Sequence, residues 1–343
     1  MYIITGGAGF IGSAMLWKLN RLGIDDVMVV DNLGSSEKWK NLVNRRYALY
    51  LHRDEFLQQV VNNRLPSAIE GIIHLGACSS TTERNAEFLM RNNLDYSKTL
   101  CMYAEQKGIR LINASSAATY GDGQNGFADD INRLYHLKPL NMYGYSKHLF
   151  DLWAATRQPM GLGCMVSLKF FNVYGPNEQH KGEMRSVVNK AYQALRRNGV
   201  MPLFRSNHPD YTDGGQMRDF VYVKDCVDVI WWLLQHPKVT GLFNLGSGQA
   251  RSWNDLVAAV CQAMDHPLSI EYIDMPEELI HTYQNFTQAD MARLRQAGYS
   301  KPMHSLEDGI NDYVRNYLSQ KDITLEQIHQ AIDKPSFSNY ERA

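Results

Sequence analysis

The first half of the chain alternates short β-branched and apolar runs with longer amphipathic stretches. Runs typical of strands lie at Tyr2–Thr5, Val27–Asp31, Ile69–Leu75, Arg110–Ser115 and Met165–Phe171. Between them, apolar residues recur at three- and four-residue spacing, as in helices packed on a sheet, at Phe10–Leu22, Asn85–Lys107 and Tyr143–Ala155. This alternation predicts an α/β fold with a doubly wound parallel sheet covered by helices on both faces.

The pattern becomes less regular after Pro176. A helix is expected at Met184–Arg197, a Gly/Asp-rich stretch at Ser206–Met217, a strand at Phe220–Val223, and shorter mixed elements up to about Leu318. We therefore expect a first domain at residues 1–176 and a smaller, mixed α/β substrate lobe at 177–318, with 220–245 returning to the first domain. The polar segment 319–343 is expected to contribute little to the core.

Composition and charge narrow the possible functions. The 343 residues are 44% hydrophobic, which is ordinary for a globular protein, and the formal net charge is -1 without a basic stripe, which argues against nucleic-acid binding. No apolar run approaches the ~20 residues of a membrane span, so we expect a cytoplasmic protein that does not bind a membrane. The five cysteines lack the close pairing of metal or redox sites, and His74 and Cys78 have no further ligand pair beside them, so no metal is expected.

A glycine-rich turn follows the first predicted strand. Residues 6–12 read GGAGFIG and place Gly6, Gly9 and Gly12 between that strand and an amphipathic helix. Glycine suits such a turn because a side chain would block the approach of a pyrophosphate to the helix N-terminus. Asp31 follows Gly12 by 19 residues, at the end of the next strand, where a ribose-binding acid is expected. Together these features predict a dinucleotide-binding Rossmann domain.

The sequence leaves the choice of nicotinamide nucleotide open. Asp31 alone favours NAD, because a carboxylate repels the 2′-phosphate of NADP. Lys38 and Arg53 would offset that charge and admit NADP if either lies over the adenosine ribose.

A second group of residues predicts oxidation chemistry. Tyr143 and Lys147 are four apart in a predicted helix and share one face, so the ammonium is expected to lower the pKa of the phenol. Ser116 follows a predicted strand and is expected at the carboxyl edge of the sheet, where it could hydrogen-bond a reacting oxygen. A tyrosine activated in this way exchanges a proton with a sugar hydroxyl while hydride moves to nicotinamide.

At these residues the sequence resembles the extended short-chain dehydrogenases. Within them it is similar to the nucleotide-sugar epimerases that act on ADP-heptose. The resemblance covers roughly residues 1–318 and is carried by GGAGFIG (6–12), HLGACSSTTE (74–83), ASSAATYG (114–121), YGYSK (143–147), KFFNVYGP (169–176), HKGEM (180–184), RDFVYV (218–223) and FTQAD (286–290).

The resemblance implies roles for further residues. With the glycine turn and the cations above, the expected cofactor contacts are Gly6, Gly9, Phe10, Ile11, Gly12, Asp31, Asn32, Lys38, Arg53, Leu75, Gly76, Ala77, Cys78, Ser79, Asn92, Lys147, Val173 and Lys181. The expected substrate contacts are Ser116, Asn172, Glu183, Lys190, Phe204, Arg205, Ser206, Asn207, Arg218 and Tyr283. Lys181 would be a second acid/base beside Tyr143, Lys147 and Ser116. The family prefers NADP and is homo-oligomeric, as a pentamer.

Three positions depart from the family pattern. Residues 74–76 read HLG where HEG is expected, Glu183 replaces a small hydroxyl residue near the substrate, and the stretch 206–217 is lengthened. These departures affect the substrate contacts and leave the catalytic residues unchanged.

Two acid/base groups indicate epimerisation. No carbonyl activates the side-chain carbon of a heptose, so its inversion requires hydride to leave and to return on the other face, with a proton exchanged in both orientations. We therefore expect interconversion of ADP-D-glycero- and ADP-L-glycero-D-manno-heptose, for the heptose of the lipopolysaccharide inner core. A UDP-hexose 4-epimerase and a non-catalytic NADP-binding protein remain alternatives. A 4,6-dehydratase is disfavoured because Ala117 and Ala118 follow Ser116 where an Asp-Glu pair would be needed.

Overall fold

The strands of the protein form one large sheet and two small ones. A computed structural model describes residues 1–157, 164–280, 283–320 and 324–325. In chain order the strands are β1 (Tyr2–Thr5), β2 (Val27–Asp31), β3 (Leu49–His52), β4 (Gly71–His74), β5 (Arg110–Ser116), β6 (Met165–Phe170), β7 (Asn172–Tyr174), β8 (Met201–Phe204), β9 (Met217–Tyr222), β10 (Gly241–Leu245), β11 (Ala250–Ser252) and β12 (Ile270–Ile273).

Helices connect most of these strands. They are α1 (Phe10–Arg21), α2 (Arg53–Val61), α3 (Ala86–Leu89), α4 (Tyr96–Lys107), α5 (Met142–Arg157), α6 (Val187–Asn198), α7 (Val223–Gln235), α8 (Trp253–Ala263), α9 (Glu277–Ile280), α10 (Ala292–Gln296) and α11 (Leu306–Tyr313). Several begin at a side chain that caps the free backbone N–H groups. Ser252, for example, forms a capping box with Asp255 at the start of α8.

The large sheet is parallel and has the order β10-β6-β5-β4-β1-β2-β3. Apart from the edge strand β3, its strands are buried along nearly all of their length, as their continuous apolar composition predicts. Along β1, Tyr2 and Ile4 join one hydrophobic core while Ile3 joins the core on the opposite face. The predicted doubly wound α/β fold is therefore confirmed. Because all seven strands run in one direction, the loops that follow their carboxyl ends share one edge of the sheet.

Two short sheets lie outside the large one. One has the order β11-β9-β7, with β9 antiparallel to β11 and parallel to β7, and the other pairs β12 with β8. The segment 220–245 runs from β9 through α7 to β10, and β10 pairs with β6 at the edge of the large sheet. The division into two domains at residue 176 stays a prediction.

The structure differs from the predicted elements in several places. The strand β3 and the helix α2 were not predicted. The expected helix Asn85–Lys107 is interrupted by a π-helical turn at Met90–Asp95. The helix expected from Met184 begins at Val187, because Gln179–Met184 forms a 3₁₀ segment in which Gly182 has a φ of 54°. The strand expected at Phe220 begins at Met217, inside the stretch predicted as a loop.

No helix in the described part of the chain combines the length and apolarity needed to cross a bilayer. Of the predicted tail, only residues 319–320 and 324–325 are described, and Leu325 differs from the expectation because its side chain is buried.

Candidate active site

The glycine-rich turn connects β1 to α1 and packs tightly against the loop after β4. Gly6 has a φ of 67°, which disfavours any side chain, and a Cβ there would lie 2.7 Å from the Gly76 nitrogen. A Cβ on Gly12 would lie 2.0 Å from the Gly6 carbonyl oxygen. The glycines therefore allow the backbone to close around the N-terminus of α1 while leaving that N-terminus open to a cavity. Such a cradle fits the pyrophosphate of a dinucleotide.

Asp31 lies at the carboxyl end of β2, beside this turn. Its carboxylate is buried and accepts hydrogen bonds from the Ala8 N–H at 2.8 Å and the Asn32 N–H at 2.7 Å. The Lys38 ammonium is 2.6 Å from the same carboxylate. Lys38, one of the two cations that the sequence leaves as candidates for the adenosine ribose, thus pairs directly with this carboxylate and offsets its negative charge.

Arg53 is the second predicted cation at the adenosine end of the site. It is the first residue of α2, where its guanidinium hydrogen-bonds the Asn92 side chain and lies 3.4 Å from the Asp54 carboxylate. Asn92 belongs to the π-helical turn, which turns it toward the same cavity.

A cavity of about 610 Å³ brings the predicted cofactor and catalytic residues together. Its walls come from the loops after the carboxyl ends of the central strands, where open α/β sheets bind ligands. They include Gly6, Gly9, Phe10, Ile11, Gly12, Asp31, Asn32, Lys38, Arg53, Leu75, Gly76, Ala77, Cys78, Ser79, Asn92, Ser116, Tyr143, Lys147, Val173 and Lys181. That these residues bind a dinucleotide stays a prediction from their shared position.

Ser116 and Tyr143 meet on the floor of the cavity. Ser116 ends β5, and its hydroxyl caps the following 3₁₀ turn by accepting the Ala118 N–H at 3.1 Å. Tyr143 lies in the first turn of α5, and its phenol hydrogen-bonds Ser116. A sugar hydroxyl that entered between Ser116 and Tyr143 would hydrogen-bond both side chains.

Lys147 lies one turn further along α5 and is buried. Its ammonium donates a hydrogen bond to the Ala114 carbonyl at 2.7 Å. Burial lowers the pKa of Lys147 to about 8, while the Asp151 carboxylate acts in the opposite direction.

The pKa of Tyr143 differs from the predicted direction. Burial raises the pKa of its phenol above 10.0, and the hydrogen bond from Ser116 offsets only part of that effect. The prediction of a lowered phenol pKa is therefore wrong for the protein alone. The physical reason is desolvation of the phenolate, which outweighs the favourable interactions around it.

Lys181 reaches the same cavity from the 3₁₀ segment before α6. Its ammonium lies 5.5 Å from the centre of the Phe10 ring, at the start of α1. Burial lowers the pKa of Lys181, and the Glu178 carboxylate acts against this. A lysine with a lowered pKa loses its proton more readily near neutral pH, which suits an acid/base group.

The predicted substrate residues Arg218, Phe204 and Tyr283 form a second cluster, in the smaller lobe. The Arg218 guanidinium lies 5.2 Å from the centre of the Tyr283 ring and 5.4 Å from that of Trp253, and the Trp253 indole donates to the Tyr283 hydroxyl at 2.9 Å. Phe204 packs edge-on against Tyr283. Arg218 is 6% exposed, donates a hydrogen bond to the Met217 carbonyl at 2.9 Å and pairs with no carboxylate among the described residues. A buried guanidinium without a carboxylate partner favours an anionic ligand.

The remaining predicted substrate residues do not line the 610 Å³ cavity. Glu183, which departs from the family pattern, is exposed and forms an ion pair with Lys190 on α6 at 3.4 Å. Asn172 is exposed at the start of β7.

Ser206 and Asn207 lie in the lengthened stretch 206–217, Arg205 directly precedes it, and all three make polar contacts with other residues. Arg205 lies 3.2 Å from Asp274, the Ser206 N–H donates to Asp213 at 2.9 Å, and Asn207 donates to the Ile280 carbonyl at 3.1 Å.

His74 is a buried structural residue. Its Nδ1 lies 2.6 Å from the Thr5 hydroxyl and its Nε2 lies 2.9 Å from the Ser97 hydroxyl. Both ring nitrogens are therefore engaged in hydrogen bonds. Among the described residues, no group of three or more His, Cys, Asp or Glu side chains could hold a metal ion.

Sequence reasoning missed several residues at these sites. Trp253 and Tyr211 lie near Arg218, and neither belongs to a recognised motif. Asp151, on α5, and Lys169, on β6, form a buried ion pair. The signal that could have found this pair is Lys169 itself, a charged residue inside the apolar strand β6.

The glycine turn, the carboxylate at the end of β2 and the Ser-Tyr-Lys group together define an enzyme of the short-chain dehydrogenase type. Residues 2–246 match the NAD dependent epimerase/dehydratase family. The chain is 63% identical to the ADP-L-glycero-D-manno-heptose-6-epimerase of Nitratidesulfovibrio vulgaris strain Hildenborough, over 94% of this chain and 99% of the relative. It is 47% identical to the enzyme of that name from Fusobacterium nucleatum, with coverage of 94% and 99%.

A solved structure agrees with these relatives. The crystal structure of Helicobacter pylori ADP-L-glycero-D-manno-heptose-6-epimerase superimposes with a TM-score of 0.77 at 28% identity, covering 92% of this chain and 95% of that one. The chain therefore belongs to the NAD dependent epimerase/dehydratase family and, within it, to the family of these heptose epimerases. The predicted resemblance is confirmed, and a nicotinamide dinucleotide is the cofactor class that the family uses.

Proposed function

We propose that the protein interconverts ADP-D-glycero- and ADP-L-glycero-D-manno-heptose by transient oxidation and reduction at the epimerised carbon. The observation that carries this proposal is that one cavity holds both Tyr143 and Lys181 beside the glycine turn. Two acid/base groups allow proton exchange with the sugar oxygen in two orientations. The names of the relatives support the sugar nucleotide as substrate.

The residues of the chain divide the chemistry between them. A bound nicotinamide would supply the hydride acceptor and later the hydride donor at the sugar carbon. Tyr143 takes the hydroxyl proton in one orientation, while Ser116 hydrogen-bonds the reacting oxygen. Lys181 exchanges the proton in the other orientation, and its lowered pKa favours this role. Lys147 provides a positive charge near the phenol when substrate and cofactor have displaced water.

The cluster around Arg218 is proposed to hold the diphosphate of the substrate. A guanidinium bonds phosphate oxygens through two parallel N–H groups, and the Trp253 and Tyr283 rings hold its plane in place. Because these residues lie outside the dinucleotide cavity, they leave that cavity to the cofactor and the sugar.

NADP is proposed as the preferred cofactor. The Asp31 carboxylate would repel a 2′-phosphate, but Lys38 lies 2.6 Å from it and cancels its charge. Arg53 adds a second cation on the same cavity wall.

The decisive experiment incubates the protein with ADP-D-glycero-D-manno-heptose in D₂O and follows the product by NMR. We expect the L-glycero epimer to form without solvent deuterium at the inverted carbon, because hydride returns from the same coenzyme molecule. Deuterium at that carbon would exclude the redox route. A parallel panel of UDP-hexoses tests substrate choice: turnover of UDP-hexoses alone would identify a 4-epimerase, and NADP binding without any turnover would identify a binding protein.

The roles of the two acid/base groups are separated by single-turnover assays. Tyr143→Phe and Lys181→Met should each slow epimerisation by about 100-fold or more. The matched controls are Tyr135→Phe and Lys238→Met, at exposed positions outside the cavity, and they should retain the full rate. A normal rate for Lys181→Met would show that this lysine is not the second acid/base.

A further inference from the structure

A buried ion pair joins α5, the helix that carries Tyr143 and Lys147, to the strand β6. The Lys169 ammonium, on β6, is 2.8 Å from the Asp151 carboxylate, on α5, and both side chains have 0% exposure. Removing two charges from water is costly, and a buried pair can often be replaced by apolar residues without loss of stability. Stability alone therefore does not account for a pair placed here.

The pair connects the chain segments that carry the catalytic residues. Asp151 accepts a hydrogen bond from Ser115 at 2.7 Å, which ties α5 to the end of β5. Lys169 donates to the Thr119 hydroxyl at 2.5 Å, and that hydroxyl donates to the Ser116 carbonyl at 2.8 Å. The residue before Ser116 and the turn after it are thus both fixed by the pair.

The pair also sets the charge around Lys147. On α5, Tyr143 lies one turn before Lys147, and Asp151 lies one turn after it. From the sheet, β4 presents His74, β5 presents the Ala114 carbonyl, and β6 presents Lys169 beside Asp151. Of the groups just named, Asp151 is the carboxylate, and its negative charge favours the charged form of Lys147.

We propose that the Asp151–Lys169 pair is a positioning unit for catalysis. It holds Ser116, Tyr143 and Lys147 in one arrangement, and Asp151 serves as the counter-charge of Lys147 while Lys169 limits that effect. Neither residue touches the sugar or the cofactor. This inference rests on the proposed epimerase function for its kinetic test, and a second measurement is independent of that function.

The two members of the pair should act on Lys147 in opposite directions. Without Asp151, Lys147 loses its attractive charge, so its pKa should fall and the alkaline limb of the kcat profile should move down by about one pH unit. Without Lys169, the Asp151 charge acts on Lys147 without competition, so the pKa of Lys147 should rise and the alkaline limb should move to higher pH. Asp151→Asn and Lys169→Met test these two signs, and Asp151→Glu should restore the limb toward its original position.

The same titration can be read without turnover. Trace acetic anhydride labels amines in proportion to their uncharged fraction, and mass spectrometry of the Lys147 peptide across pH gives its pKa in each variant. The matched control is Asp228→Asn, which breaks another lysine pair, between Asp228 and Lys18 at 2.6 Å, and should leave Lys147 unmoved.

The outcomes separate positioning from simple structural support. Opposite shifts in the two variants support the proposal, as do a lower kcat and an unchanged KM. Lower stability with an unmoved limb and an unmoved Lys147 titration would overturn it. If the unaltered protein fails to epimerise ADP-heptose, the proposed function fails, and the labelling titration still decides this inference. Should Asp151→Asn not fold, the upward shift in Lys169→Met alone decides it.

Discussion

At the scale of single residues, one ion pair governs the expected choice of cofactor. Asp31 is held by two backbone N–H groups at the end of β2, so its carboxylate is fixed where we expect an adenosine ribose to bind. Lys38 bonds the oxygen that also accepts the Asn32 N–H. The sequence located both residues, but it could not show that they touch, because the segment that joins them has no regular periodicity.

Replacing Lys38 should therefore change the discrimination between the two nucleotides. In Lys38→Ala the Asp31 charge becomes uncompensated, so the Kd of NADP⁺ should rise by about 10-fold or more while that of NAD⁺ changes little. Titration calorimetry with both nucleotides measures the ratio. Lys40→Ala is the control, because Lys40 is exposed and pairs with Glu37 on the same segment. Equal weakening of both nucleotides would contradict the assigned role of Lys38.

At the scale of elements, the sequence predicted the central strands well and an outer strand poorly. The strands β1, β2 and β4 are buried throughout, so their apolar runs are unmistakable. By contrast, β3 is an edge strand with one fully buried residue, Leu51, and the following helix α2 buries only Phe56 and Val60. An edge element has little apolar surface to cover, and its pattern is correspondingly weak.

Helical spacing also concealed the π-helical turn at Met90–Asp95. Apolar residues recur on both sides of it at the usual interval, and nothing in that interval reveals an i to i+5 turn. The turn has a consequence for the site, because Asn93 donates to the Cys78 carbonyl at 2.9 Å and to Ser146 at 3.1 Å. Asn93 thereby joins the loop after β4 to the helix α5.

The close approach of α5 to the turn after Ser116 gives a test at the element scale. A Cβ on Gly144 would lie 2.7 Å from the Ala118 carbonyl oxygen, so Gly144→Ala should push the start of α5 away from Ser116. A displacement of this kind can lower kcat by about 100-fold, while the higher helix propensity of alanine offsets part of the lost stability. Kinetics and thermal unfolding of the variant measure the two effects separately.

Thr156→Ala is the matched control for this prediction, since Thr156 is exposed near the end of the same helix. It should leave kcat unchanged. A Gly144→Ala enzyme with normal kcat would mean that α5 tolerates the extra carbon and that the contact with Ala118 does not position Tyr143.

At the scale of the whole molecule, the sites are assembled from distant parts of the chain. Arg218 comes from β9, Trp253 from the start of α8 and Tyr283 from a later loop, yet they form one cluster. The sequence supplied Arg218 and Tyr283 only through the family resemblance, because residue spacing carries no information on contacts between separate elements. Trp253 had no signal of either kind.

Leu325, at the end of the described chain, also contacts residues that lie far earlier in the sequence. Leu325 is 1% exposed, and its N–H donates to the Asn177 side chain at 2.8 Å while its carbonyl accepts from Arg45. Asn177 has a φ of 79° and donates to the Ser13 hydroxyl at 2.9 Å, on α1. Leu325 therefore supports a left-handed residue, Asn177, that contacts the helix of the glycine-rich turn.

Leu325→Ala should consequently destabilise the whole fold without altering the chemistry. Removing a fully buried leucine side chain costs about 2 to 5 kcal/mol of unfolding free energy, measured by urea denaturation, because it loses burial and leaves a cavity. The control is Leu268→Ala, where the same side chain is 62% exposed and its removal should cost little. At a temperature where the variant stays folded, kcat should match the original protein, because Leu325 does not line the catalytic cavity. An unfolding free energy equal to that of Leu268→Ala would show that the buried contact of Leu325 contributes nothing to the fold.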